Sequence, residues 1–241
     1  MRELHIAVNG PAVAKQFADF LVDRIAAKDG NFTLALSGGS TPKLLFKLLS
    51  EQYADRIDWS RLHLFWGDER MVPYEDSDSN YGVTKSLLLD HVAIPAENLH
   101  PVATSLEPAA AVADYAEVLK KYVDQDDNGL PVFDLIMLGM GDDGHTASIF
   151  PHEMELMTAK ETTGLATHPI SGQLRVTLTG PVINNAREVA FLVTGNNKTN
   201  RTAQIINKEH HYLEYPTAHI NPASDGLHWF LDEAASSEVG Y

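Results

Sequence analysis

The sequence predicts an α/β protein built on a mostly parallel sheet with helices on both faces. Two observations carry this. Short apolar runs of strand length alternate with stretches in which apolar residues return every three or four positions, as successive βαβ units require. Four of the runs close on a cluster of glycines or charges, as buried parallel strands do where they meet a ligand crevice. No repeat, low-complexity tract or linker divides the 241 residues, so a single domain over 1–241 is expected.

Taken in order, Val13, Phe17, Leu21 and Ile25 mark an amphipathic helix. The run from Phe32 to Ser37 reads as a buried strand ending in Gly38-Gly39. A helix follows, with Ser40 or Thr41 able to cap it, Pro42 suited to its start, and Leu44, Leu45, Leu48 and Leu49 as its inner stripe. Leu62 to Gly67 is the next strand and leads into a charged loop, Asp68-Glu69-Arg70. Val112, Tyr115, Leu119 and Tyr122 line a helix that precedes a strand from Phe133 to Gly139. Leu174 to Thr179 and Val189 to Gly195 supply two more strands, the latter leading into a helix within 198–208. Clusters at 37–41, 67–70, 139–145 and 195–198 all fall just past strand ends, so they are predicted to converge on one site.

Charge and composition narrow the function. Eighteen Lys and Arg against 33 Asp and Glu give a net charge of −15, which excludes nucleic-acid or anionic-membrane binding by general attraction. An anionic ligand would need local cations. The absence of cysteine excludes disulfides, thiolate zinc sites and a Cys nucleophile. No apolar run approaches the roughly 18 residues of a membrane span, and the N-terminus lacks a secretory pattern, so a cytoplasmic location is expected.

The stretch Gly139 to Ser148, "GMGDDGHTAS", contains G-x-G-x-x-G, the fingerprint of a dinucleotide-binding turn. Asp142 and Asp143 would repel a pyrophosphate there, and no strand pattern with its acidic residue follows at the required distance. "SGGSTPK" lacks P-loop spacing, and no G-x-S-x-G elbow is present; Ser148 reads as a helix residue. What remains is a strand delivering Asp143, Gly144 and His145 to the sheet rim. Histidine transfers protons near neutral pH, and a carboxylate two residues earlier can orient its ring.

Ser37, Gly38, Gly39, Ser40 and Thr41 offer successive N–H groups and hydroxyls at a helix N-terminus, which suits a single phosphate. Arg70, Arg175 and Lys198, at or near strand ends, are the candidate cations. The eleven histidines show no H-E-x-x-H pattern, and "EDSDSN" lacks an EF-hand frame, so no metal site is expected. The 75–82 segment, with Asn80 and Tyr81, is expected to be an ordered loop at the site. Trp59, Trp66 and Trp229 are expected in the core or at its edge, and the tail after Ala235 is expected to fray.

Several motifs together resemble the 6-phosphogluconolactonases of the sugar-phosphate isomerase/deaminase superfamily. They are "LALSGGSTP", "FWGDERMVP", "DSNYG", "GMGDDGHTASIFP", "RVTLT…INNA" and "VTGNNK", in the family's order, with "GLHWFLDEAA" near the C-terminus. The resemblance implies a Rossmann-like, NagB/RpiA-like α/β fold and one sugar-phosphate lactonase domain. It implies hydrolysis of 6-phospho-D-glucono-1,5-lactone in the oxidative pentose phosphate pathway, with no metal and no organic cofactor. The implied partner is the phosphorylated sugar lactone alone, with neither nucleic acid nor membrane, on a monomer or small homo-oligomer. His145 would be the general base, oriented by Asp143. Ser37–Thr41, Arg70, Arg175 and Lys198 would hold the substrate, and Asp68, Asn80, Gly141 and Gly144 would support the loops. The alternatives are a glucosamine-6-phosphate deaminase/isomerase and a non-catalytic sugar-phosphate sensor. Phe150 stands where the deaminase loop carries glutamate, and Arg70 where that branch has tyrosine; both favour the lactonase. Leu174 departs from the proline that commonly precedes the arginine.

Overall fold

The computed structural model describes residues 2–240. Seven strands form its main sheet: β1 (Arg2–Ala7), β2 (Phe32–Leu36), β3 (Leu62–Trp66), β5 (Leu99–His100), β6 (Leu135–Leu138), β9 (Glu188–Val193) and β10 (Leu227–Asp232). Their order is β1-β10-β9-β6-β2-β3-β5, and every neighbouring pair is parallel. The chain winds outward from β2 through β3 to β5, then restarts at β6 and winds the other way through β9 to β10. The direction of winding therefore reverses between β2 and β6, where such sheets open a crevice at their C-terminal edge.

Both faces of the sheet are covered, which explains why β2 and β6 are buried at every position and read as unbroken apolar runs. On one face lie α1 (Gly10–Ala27), α2 (Ser40–Gln52) and α3 (Asn80–Leu87), packing Phe17, Leu21 and Phe46 against Leu34, Leu64 and Phe230. On the other lie α4 (Pro108–Tyr122), α5 (Gly180–Asn184) and α6 (Thr199–Asn207), packing Tyr115, Leu119, Ile183 and Ile206 against Phe65, Ile136 and Phe191. The N-terminus of α1 is capped by Asn9, whose side chain accepts from the Ala12 N–H at 3.0 Å. Trp59, Trp66 and Trp229 are buried, as the sequence predicts. Among the described residues no helix is long and apolar enough to cross a membrane.

A second, smaller sheet stands beside the first. It is antiparallel, with β8 (Leu174–Leu178) between β4 (Asp68–Arg70) and β7 (Thr163–Thr167). This corrects two expectations: Asp68-Glu69-Arg70 is a strand rather than a loop, and the 174–179 run leaves the parallel sheet. An apolar run specifies a strand but not its partner, which tertiary packing selects.

Local expectations also shift. Leu44 is 42% exposed, because the inner stripe of α2 is Thr41, Leu45, Phe46 and Leu49. Gly39 takes the position before that helix with no side-chain cap, so neither Ser40 nor Thr41 caps it. Ser148 lies in a turn rather than a helix. Asn80, Tyr81 and Gly82 are not loop residues: they form the first turn of α3, capped by Ser79, whose hydroxyl accepts from the Gly82 N–H at 3.0 Å. The tail is tied down: α7 (Glu233–Ser236) follows β10 and Val239 is buried. Tyr241 lies outside the described residues. β1, β7 and β10 carry polar residues within their runs, which hid them from periodicity.

Candidate active site

Four neighbouring strands, β9, β6, β2 and β3, end side by side, and the loop after each reaches one cleft of about 200 Å³. The convergence of 37–41, 67–70, 139–145 and 195–198 is thus a consequence of four parallel strands in adjacent positions. Ser37, Arg70, His145, Arg175 and Lys198 all line the cleft.

The loop after β6 is a tight turn that aims a histidine. The Gly141 N–H donates to the His145 carbonyl at 2.9 Å and the Gly144 N–H to the Gly141 carbonyl at 3.0 Å. These two amides are therefore spent inside the turn, so they cannot serve as donors to a substrate oxygen. A Cβ on Gly141 would lie 2.1 Å from the His145 ring, and Gly144 has φ of +82°, a region that favours glycine. The turn is latched from outside by Thr217, whose hydroxyl donates to the Gly144 carbonyl at 2.9 Å, and by Tyr215 packed against Gly144.

His145 Nδ1 lies 2.6 Å from Asp143 Oδ1, and the same oxygen accepts the His145 backbone N–H at 3.1 Å. Burial works to raise the Asp143 pKa, but the hydrogen bond and charge of His145 outweigh it and hold the carboxyl at about 2. Asp143 is therefore a fixed anion that claims Nδ1, leaving Nε2 as the ring nitrogen for proton exchange. Phe150, fully buried, packs against the imidazole with ring centroids 4.6 Å apart.

Across the cleft stands a cationic wall. Arg70 and Arg175 are directly opposite each other in the β4–β8 ladder. Like charges at such a pair destabilise a sheet, and an anion lying between them would relieve the repulsion. Arg70 donates through Nη1 to the Asp78 carbonyl at 2.6 Å, and Arg175 through Nη2 to Gln173 Oε1 at 3.2 Å. The Nε of each is buried without a partner among the described residues. Burial lowers the Arg175 pKa, a further sign of a guanidinium removed from water.

Beside them the 37–41 segment leads into α2. Gly39 has φ of +117°, and a Cβ on Gly38 would lie 2.0 Å from Asn80 Oδ1. Asn80 in turn donates to the Asp68 carbonyl at 2.8 Å, and Asp68 accepts from the Ser148 hydroxyl at 2.6 Å. Lys198, the third candidate cation, has its ammonium paired with Asp142, whose pKa is lowered chiefly by that hydrogen bond.

Two functional supports escaped the sequence reading. Glu69 is fully buried and accepts from the backbone N–H groups of Arg70, Asn80 and Tyr81 at 2.8, 2.8 and 2.7 Å. It fastens the Arg70 strand to the N-terminus of α3, while burial raises its pKa against the pull of those bonds. Asp232, at the end of β10, accepts from the Gly195 and Ala235 N–H groups at 3.0 and 2.8 Å, fixing the 195–198 turn. Only the carboxylate in "GDER" was visible beforehand, with nothing to say that it points inward.

Comparison with known proteins places this chain in a family. The family described as glucosamine-6-phosphate isomerases/6-phosphogluconolactonase matches residues 9–229. A protein named 6-phosphogluconolactonase from Haemophilus influenzae is 44% identical over 203 residues, covering 84% of this chain and 85% of its own. One of the same name from Nostoc is 40% identical over 219 residues, covering 90% and 89%. The crystal structure of 6-phosphogluconolactonase from Leishmania guyanensis superposes with a TM-score of 0.90 at 25% identity, covering both chains in full. The chain belongs to the glucosamine-6-phosphate isomerase/6-phosphogluconolactonase family.

Proposed function

We propose that this protein hydrolyses 6-phospho-D-glucono-1,5-lactone to 6-phospho-D-gluconate, the second step of the oxidative pentose phosphate pathway. The names of the relatives support the reaction. One observation carries its assignment to this cleft: a carboxylate-oriented histidine and a facing pair of arginines line the same cavity.

The chemistry follows from that spacing of charge. Water is a poor nucleophile, so His145 Nε2 takes its proton as the oxygen attacks C1 of the lactone. Asp143 stabilises the imidazolium that forms. As the tetrahedral intermediate collapses, the bond from C1 to the ring oxygen breaks and the imidazolium returns the proton to that oxygen. Arg70, Arg175 and the Ser37–Thr41 segment hold the C6 phosphate, which takes no part in bond making and serves position. Lys198 contributes from the rim, where the substrate competes with Asp142 for it. The cycle calls for no cofactor, and its partner is the small phosphorylated lactone. We place it in the cytoplasm, as a monomer or small homo-oligomer that binds neither nucleic acid nor membrane.

The test is hydrolysis of freshly generated lactone with the spontaneous rate subtracted, alongside ammonia release from glucosamine 6-phosphate. Lactone turnover without ammonia is the expected result. Ammonia without lactone turnover moves the protein to the deaminase branch, and sugar-phosphate binding without either activity makes it a sensor.

A further inference from the structure

Away from the cleft, three metal-ligating side chains meet on the opposite half of the sheet. Glu3 and His5 are two apart on β1 and so share a face, and the parallel register sets His228 of β10 directly beside Glu3. His5 Nε2 lies 3.3 Å from His228 Nδ1; Glu3 Oε2 lies 3.3 Å from His228 Nδ1 and 3.7 Å from His5 Nε2. We propose that Glu3, His5 and His228 form a binding site for a divalent transition-metal ion, with Zn²⁺ favoured by the donor set.

The distances argue for a tetrahedral ion. Metal–ligand bonds of about 2.0–2.1 Å at tetrahedral angles put neighbouring ligand atoms about 3.3–3.4 Å apart. Two of the three separations, at 3.3 Å, fall on that edge length, and the longer one involves the most exposed of the three side chains, 64% accessible and free to adjust. A water molecule would complete the fourth position. Two imidazoles and a carboxylate are a borderline donor set that suits zinc over magnesium or calcium.

The surroundings hold the rings in place before any ion arrives. His5 stacks on Phe230 with centroids 4.2 Å apart and planes 8° from parallel, and Phe20 of α1 lies against the His228 ring at 4.8 Å. His228 is buried, and its other nitrogen, Nε2, lies 3.3 Å from Glu188 Oε1 without a hydrogen bond to it. A metal on Nδ1 would fix the proton on Nε2, on the side of this carboxylate. Glu188 is itself held by Arg24, whose Nε donates to both oxygens at 2.8 Å. The site would pin the edge strand β1 to β10, a stabilising clip rather than part of the reaction; it does not rest on the proposed activity.

The experiment uses untagged, chelator-stripped protein with Zn²⁺ or Co²⁺ alone as probe. Titration calorimetry should find one tight site per chain, Co²⁺ should develop the intense visible band of tetrahedral coordination, and Zn²⁺ should raise the Tm. Glu3→Gln and His5→Gln, both at accessible positions, should lose that band and weaken binding on the order of 10²-fold while keeping the wild-type circular dichroism. His145→Ala should leave binding intact. Equal binding by wild type and the Glu3→Gln, His5→Gln double variant would overturn the proposal, as would loss of the site in His145→Ala or no binding by wild type.

Discussion

The two sheets of this protein do different work. The seven-stranded parallel sheet is apolar through most of its strands and sealed on both faces, and its contribution to the site is to end four strands side by side. The three-stranded antiparallel sheet carries Asp68, Glu69, Arg70 and Arg175, and sets two of these arginines against each other. One sheet is a scaffold whose side chains are interchangeable within limits of volume; the other spends stability to hold like charges face to face at the cleft. The turn that holds His145 against Asp143 follows a strand of the first, and the facing arginines belong to the second.

That division can be broken at either end. His145→Gln removes the base delivered by the parallel sheet and should lower kcat by roughly 10²–10⁴-fold in steady-state lactone hydrolysis. A variant near wild-type turnover would remove His145 from the mechanism. Phe191→Ala, in the core of the parallel sheet, should cost about 3–5 kcal/mol in denaturant unfolding, with the activity of the folded fraction unaltered. Changing the small sheet should do the reverse. Arg70→Ala should raise KM by roughly 10–100-fold, as loss of one or two charge-assisted hydrogen bonds to phosphate would, with kcat little changed. Because it removes a facing like charge, its Tm in the absence of ligand should be equal to or above that of the wild type; a fall in Tm with an unchanged KM would place Arg70 outside the phosphate site.

Two smaller effects sharpen the comparison. Glu69→Gln keeps the shape but weakens a buried acceptor of three backbone N–H groups, and should cost about 1–2 kcal/mol while raising KM through the displaced Arg70 strand. Asp143 supplies a pH signature. Its folded pKa of about 2 lies below the ordinary 3.8, so its bond to His145 contributes stability above that ordinary value, lost as pH falls through the folded one. Acidification from neutral pH to about 4 therefore leaves Asp143 charged. Asp143→Asn should lower kcat in steady-state lactone hydrolysis, since the imidazolium formed in the reaction loses its carboxylate. An unchanged kcat would show that Asp143 does not govern the ring.

Much of this was legible in the chain. The Phe32–Ser37 and Phe133–Gly139 runs read as buried strands, and the glycines that close such runs marked the crevice. "GDDGH" is a local device: the turn, the carboxylate and the ring lie within five residues, so short-range geometry suffices to bring Asp143 to His145. "SGGST" is local in the same way.

What the sequence could not decide was every pairing across distance. The 174–178 strand was identified, but whether it joined the parallel sheet or faced Asp68–Arg70 depended on which surface was left uncovered once the helices had packed. The same holds for Lys198, whose charge was evident and whose partner Asp142 was not. It holds too for Glu69, which reads as a surface acid beside an arginine and is buried under three amides. The Glu3, His5 and His228 cluster joins residues more than two hundred positions apart through the β1–β10 register. Periodicity and local turn chemistry are properties of short segments and survive in the sequence; strand partnership and the burial of a single charge are settled by competition among all the segments at once, and only the packed structure records the outcome.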